Sequence, residues 1–187
     1  MIAMVFVLVL LILTGLTLSA WRLLDHWADL KAMQALAVSQ PAQPPTFTAD
    51  MIAHLPEPAR RYFLYTIETG TLLSSVASIT MVGRFGMGNR DKPDYLDFTA
   101  TQVLAMPAGF VWKMRARRGF QFERWSNANP EKQHRLQPFG GYLSEFRYFD
   151  GFRLPTHVEA GNHFSTDQYF PFFVADVTSV EFPNERN

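Results

Sequence analysis

The stretch YLSEFRYFDGFRLPTHVEA, residues 142–160, decides the fold. Tyr142, Ser144, Phe146 and Tyr148 share one face of an extended chain, and Leu143, Glu145, Arg147 and Phe149 share the other. Asp150-Gly151 then supplies two residue types that tolerate positive φ in a tight turn. Phe152, Leu154, Thr156 and Val158 restore the period of two on the way back, so the stretch reads as a β-hairpin. Pro155 removes one ladder donor, which predicts an edge or a bulge at that point of the returning strand.

Upstream of the hairpin the same period recurs. SVASITMVGRFG (75–86), DYLDFTATQVLA (94–105) and GFVWKMRARRG (109–119) read as three antiparallel strands, each bounded by Gly, Pro, Asn or Asp. In the second, Leu96, Phe98, Ala100 and Leu104 oppose Asp97, Thr99 and Thr101, the pattern of a sheet with one wet face. In the third, Phe110, Trp112, Met114 and Ala116 oppose Lys113, Arg115 and Arg117. With Arg118 these cations form a basic stripe that Asp94, Asp97 and Glu123 are near enough in sequence to neutralise. VADVTSVEF (174–182) reads as a closing strand, and QFERWSNANPEKQHRLQPFGG (121–141) as a loop of unusual length for a compact domain.

Before the strands, FTADMIAHLPEPARRYFLYTI (47–67) carries signals for two short helices: Thr48 as N-cap, Asp50 in a first turn, and Pro56 and Pro58 as breakers. Tyr62, Phe63, Leu64 and Ile67 are expected inside, and Arg60 and Arg61 outside. SQPAQPPT (39–46) cannot continue a helix and reads as a semi-rigid linker.

From Ile2 to Trp21 no charge occurs, and about 20 residues at about 1.5 Å each span the roughly 30 Å hydrocarbon layer. The start lacks a basic n-region and Leu18-Ser19-Ala20 puts a large residue where a signal peptidase site wants a small one, so the run reads as an uncleaved anchor. Leu23, Trp27, Leu30, Met33 and Leu36 continue a helical stripe beyond it. Trp21 and Trp27 suit an interfacial belt, with His26 a solvated residue between them. Arg22 and Lys31 after the span predict a single-pass membrane protein with a cytoplasmic C-terminal domain. The expected organisation is therefore anchor and helical extension 1–38, linker 39–46, α+β domain 47–183 and tail 184–187.

The 187-residue chain is formally neutral, which excludes the basic excess of a nucleic-acid-binding protein. It has no Cys, which excludes disulfides, thiolate zinc sites and cysteine nucleophiles. Phosphate-binding glycine loops, HExxH, GxSxG and EF-hand patterns do not occur, so no catalytic residue is nominated and no cofactor is expected. What stands out is the aromatic load, 14% with 17 Phe. A sheet with one wet face and an apolar other face nominates Phe98, Phe110, Trp112, Met114, Phe146 and Tyr148 as a ligand-binding surface, with a membrane lipid or apolar small molecule as partner. The alternatives are a metal-dependent enzyme using His157, Glu159 and His163, since imidazole and carboxylate can share a metal, and a ligand-free interaction module. Ser144, His157 and Asp150 would make a hydrolytic triad, but no nucleophile elbow surrounds Ser144.

LPEPARRYF (55–63), GRF followed by TATQVLAMPAGFVWKMRARRG (99–119), and RWSNANPEKQHRLQPFGGYLSEFRYFDGFRLPTHVEAGNHF (124–164) resemble an uncharacterised bacterial family, DUF6544, formerly DUF6920. The resemblance runs over about 47–182. It implies an N-terminal membrane anchor, short helices and then a strongly curved antiparallel sheet, and it names no activity. The hairpin is also similar to one in half-barrel lipoprotein carriers of the bacterial envelope. The resemblance further implies strands and helices between MRARRG and RWSNANPEK. Here those motifs are nearly adjacent, so the sheet is expected to be shortened in its middle.

Overall fold

The computed structural model describes residues 2–117 and 138–183. The chain is α+β: a long apolar helix α1 (Ile2–Ala37), a 3-10 turn (Ala49–Ile52), a short helix α2 (Glu57–Thr66), and strands β1 (Val76–Gly86), β2 (Tyr95–Ala105), β3 (Gly109–Arg117), β4 (Phe139–Phe149), β5 (Phe152–Asn162) and β6 (Phe170–Glu181). All six strands form one open antiparallel sheet in the order β3-β2-β1-β6-β5-β4. Of the loop read over 121–141, residues 139–141 begin β4, and most of the remainder, like the tail 184–187, lies outside the described residues.

The hairpin forms in the expected register, with Phe149 opposite Phe152 and Tyr142 opposite Glu159. Its turn holds Asp150 at φ 48 and Gly151 at φ 87. β5 is interior in strand order, yet β6 pairs with it only from His157 onward. Pro155 therefore stands where β5 has β4 alone for a strand partner, and its missing N–H breaks no second ladder. One residue from Phe146, the partner of Pro155, Glu145 takes φ 54 and its carbonyl accepts from the buried Thr156 hydroxyl at 2.5 Å.

The sheet curls toward one face. In a flat sheet Trp112 of β3 and Phe173 of β6 would stand more than about 14 Å apart, three strand spacings plus their offset along the strands. Their ring centroids are 5.6 Å apart, and Phe98 of β2 completes a triangle with them, 6.4 Å from Trp112 and stacked on Phe173 at 5.6 Å. Gly83 of β1 makes room: a Cβ there would sit 2.2 Å from the Val174 carbonyl oxygen and 3.0 Å from the Phe98 ring. Phe98, Met81, Ala100 and Ala175 form the buried core on this concave side.

The convex side is covered by helices. Burial along β2 alternates through Leu96, Phe98 and Ala100 and then changes phase to Val103 and Ala105. The cause is α1, whose Met33, Leu36 and Ala37 pack on Val76, Val103 and Ala105 from the convex side. Lys113 of β3 reaches the same helix, 2.8 Å from His26 Nδ1 and 3.3 Å from Asp29 Oδ2. The carboxylate facing this member of the basic stripe thus comes from α1. The linker is strapped down as well. Gln40 Oε1 accepts from the Ser75 and Val76 amides at 3.0 Å each, and Phe47 and Leu73 amides bond to Thr71 and Pro45 carbonyls.

α2 covers Ala59, Phe63 and Thr66 and leaves Tyr62 and Leu64 exposed, because residues 100° apart in succession cannot share a face. Arg61 pairs outward with Glu57 at 3.4 Å. Thr48 holds the first N-cap position without a side-chain cap bond.

Gly83→Val tests the curl, because its side chain must enter space held by the Val174 carbonyl and the Phe98 ring. Urea unfolding of the full chain in detergent should show a loss of roughly 1–3 kcal/mol, the usual cost of overpacking.

Candidate functional site

Curling the sheet leaves a groove of about 410 Å³ on the concave face. Ile79, Met81, Trp112, Phe173, Ala175 and Val177 line its length, Phe110 stands at one end, and Gln102 is the one polar lining side chain among the described residues. At the other end Phe172 meets Phe85 at 5.7 Å and Phe139 at 6.1 Å between ring centroids. Phe110 and Phe139 are 62% and 65% exposed, which is high for rings that border a cavity. Among the described residues the groove is thus open, apolar and bordered by exposed aromatic rings, with neither a nucleophile nor a charge on its walls.

Of the residues nominated from sequence, Phe110 and Trp112 line this groove. Phe98 is 3% exposed and supports it from beneath, and Met114 packs on the same core. Phe146 and Tyr148 are not part of it. They pair across to Pro155 and Arg153, and the Arg153 guanidinium lies 5.9 Å from each ring and 4.1 Å from the ring of Tyr65 of α2. Period two put them on a common strand face, but it could not say that this is the helix-bearing convex side. Phe85, Phe172 and Phe173 were missed. The sequence signal for Phe172 and Phe173 is the aromatic density of YFPFF, residues 169–173, whose last four open β6, whereas Phe85 stands alone in VGRFG of β1.

His157, Glu159 and His163 do not converge. His157 Nδ1 is 2.7 Å from Asp176 Oδ1 and its Nε2 is 3.6 Å from Glu159 Oε1, so the carboxylates engage different ring nitrogens. His163 sits in the turn after β5 at φ 59, its carbonyl accepting from Thr166. No three His, Asp or Glu side chains gather at metal-binding distance among the described residues. Ser144 lies opposite His157 in the ladder, whereas Asp150 is in the hairpin turn.

The convex face also carries a small titratable group. Hydrogen bonding to Asp176 raises the His157 pKa, burial opposes it by less, and a weaker hydrogen bond to Glu159 adds to the rise. Burial raises the phenols of Tyr95 and Tyr169, and the nearby Glu159 charge adds to both. Tyr95 donates to the Pro171 carbonyl at 2.7 Å.

A raised folded-state pKa means that protonated His157 stabilises the fold fully below the ordinary histidine value of about 6.5. That contribution is lost as pH rises through the folded value. In an NMR titration of the His157 ring, Asp176→Asn should lower the midpoint and remove this part of the pH dependence of stability; an unmoved midpoint would contradict the pairing.

Residues 45–122 match the model of DUF6544, described as a family of unknown function. The match thus takes in the 3-10 turn, α2 and β1–β3, and stops before β4. Neither the curated proteins nor the solved structures gave a match.

Proposed function

We propose that this member of DUF6544 is a membrane-anchored binding domain that holds an apolar, chain-like ligand in the concave groove of its sheet. One observation carries the reading: a groove of about 410 Å³ whose lining, among the described residues, is apolar except for Gln102. Small-molecule sites occupy roughly 300–1,000 Å³ and combine apolar walls with a few polar groups, so size and chemistry agree. α1 supplies the anchor, being long and apolar enough to cross a membrane. Arg22 and Lys31 follow its apolar run, which orients the domain to the cytoplasm. A membrane lipid or another long apolar molecule is the class of ligand that suits walls without charge.

The test is a titration of the full chain in detergent with cis-parinaric acid, a fluorescent fatty acid. Removing a large groove ring forfeits about 1.5–3 kcal/mol of apolar burial, so Trp112→Ala should weaken binding about tenfold or more. Tyr148→Ala, on the convex side, should leave it unchanged. Absence of binding by the wild-type chain, or equal affinity for Trp112→Ala, would sink the proposal.

A further inference from the structure

We infer that the groove is filled from the bilayer: an acyl chain of a membrane lipid enters at the end bounded by Phe85, Phe139 and Phe172, which the docked α1 helix holds against the membrane surface. This rests on reading the groove as a site for an apolar chain and α1 as the anchor. It adds the direction of entry and the source of the ligand.

The direction follows from where α1 touches the sheet. Its first contact is at Lys113, which faces Thr101 of β2 in the ladder and binds His26 and Asp29. Its next contacts are Met33, Leu36 and Ala37 against Val103, Ala105 and Val76. Going from 29 to 37 along the helix advances about 12 Å at 1.5 Å per residue. Going from 101 to 105 along β2 advances about 14 Å at 3.4 Å per residue. Helix and strand therefore run in the same sense, and the apolar part of α1 projects past the start of β2.

At that end of the sheet lie the β1–β2 turn, the start of β6, the end of β5 and the start of β4, because Gly86 pairs with Tyr95, Phe85 with Phe173, and Phe139 with Asn162. This is the end that faces the bilayer. It is also where Phe85, Phe139 and Phe172 close together around the groove. The opposite end, with Phe110 and the exposed Met106, points to water.

Fixed orientation requires that the anchor is not a loose leash. α1 is unbroken through Ala37, Lys113 holds it at two side chains, and Gln40 clasps the first residues of β1 within three residues of the helix end. Asn89 closes the β1–β2 turn by accepting from the Asp91 and Lys92 amides, and Arg90 donates to the Asp167 carbonyl, so the two bilayer-facing connections are joined. An acyl chain leaving the bilayer here would pass from hydrocarbon to the Phe85, Phe139 and Phe172 rings without crossing water. The apolar transfer cost that normally holds a lipid in the membrane is then avoided.

The natural chain has no Cys, so single labels can be placed without background. Full chains carrying Lys92→Cys in the β1–β2 turn, or Ala108→Cys in the β2–β3 turn, are labelled with a nitroxide in phosphatidylcholine vesicles. Oxygen and nickel-chelate accessibilities should place the Lys92 label in the headgroup layer and the Ala108 label in water. A bimane on Phe139→Cys should be quenched by dibrominated phosphatidylcholine, and one on Ala108→Cys should not. Lys113→Glu sets like charges against Asp29; it should move the Lys92 label toward water and reduce the quenching while leaving cis-parinaric acid binding in detergent within about twofold. Asp29→Lys repeats the test from the exposed helix side if Lys113→Glu does not fold. Both nitroxides in water, or quenching equal at Phe139 and Ala108, would overturn the inference while leaving the groove a binding site. Absence of cis-parinaric acid binding in detergent would overturn the binding reading itself.

Discussion

The ring stack of Trp112, Phe98 and Phe173 on the floor provided by Gly83 is the constraint on which the rest of the structure depends. It ties β3 to β6 across two intervening strands, so the sheet cannot lie flat. Once the sheet is bent, its two faces become unlike. The convex face is broad and takes both the end of α1 and the α2 cluster around Arg153. The concave face is not filled by its own side chains and keeps a groove. Burial of Phe98, Met81 and Ala175 stabilises the bend, while Trp112 at the edge of the stack stays partly exposed and Phe110 and Phe139 largely so.

Much of this was legible in the sequence because strands announce themselves through period two. The hairpin register, its Asp150-Gly151 turn, the three strands before it and the apolar N-terminal helix all follow from local chemistry. The family resemblance read from 55–63 and 99–119 falls within the matched segment, while the quoted motif at 124–164 lies beyond it. What was not legible depends on contacts between distant segments. The phase change in β2, from Phe98 and Ala100 to Val103 and Ala105, requires knowing that α1 lands on the convex side. The same ignorance made Phe146 and Tyr148 look like companions of Trp112. A strand pattern tells which residues share a face, not which of two faces of a curved sheet is hollow.

The linker shows the same limit. SQPAQPPT has the composition of a spacer, and composition alone predicts separation. Yet Gln40 reaches the amides of Ser75 and Val76 where β1 begins, and 45–47 bond to 71–73, so the segment straps the helix to the sheet. His26, read as a solvated residue between two tryptophans, turns out to accept contact from Lys113, a residue far along the chain. Polar residues close to an apolar span thus act here as docking points between the helix and the sheet.

On the proposed reading, the concave groove is occupied by an acyl chain when the protein is taken from membranes. Native mass spectrometry of the full chain, released gently from detergent, tests it most directly. The expected spectrum shows a folded protein with one adduct whose fragmentation yields an acyl-chain-bearing lipid, and a much smaller adduct population for Trp112→Ala. A folded wild-type chain of bare polypeptide mass, or an adduct equally abundant in Trp112→Ala, would contradict it.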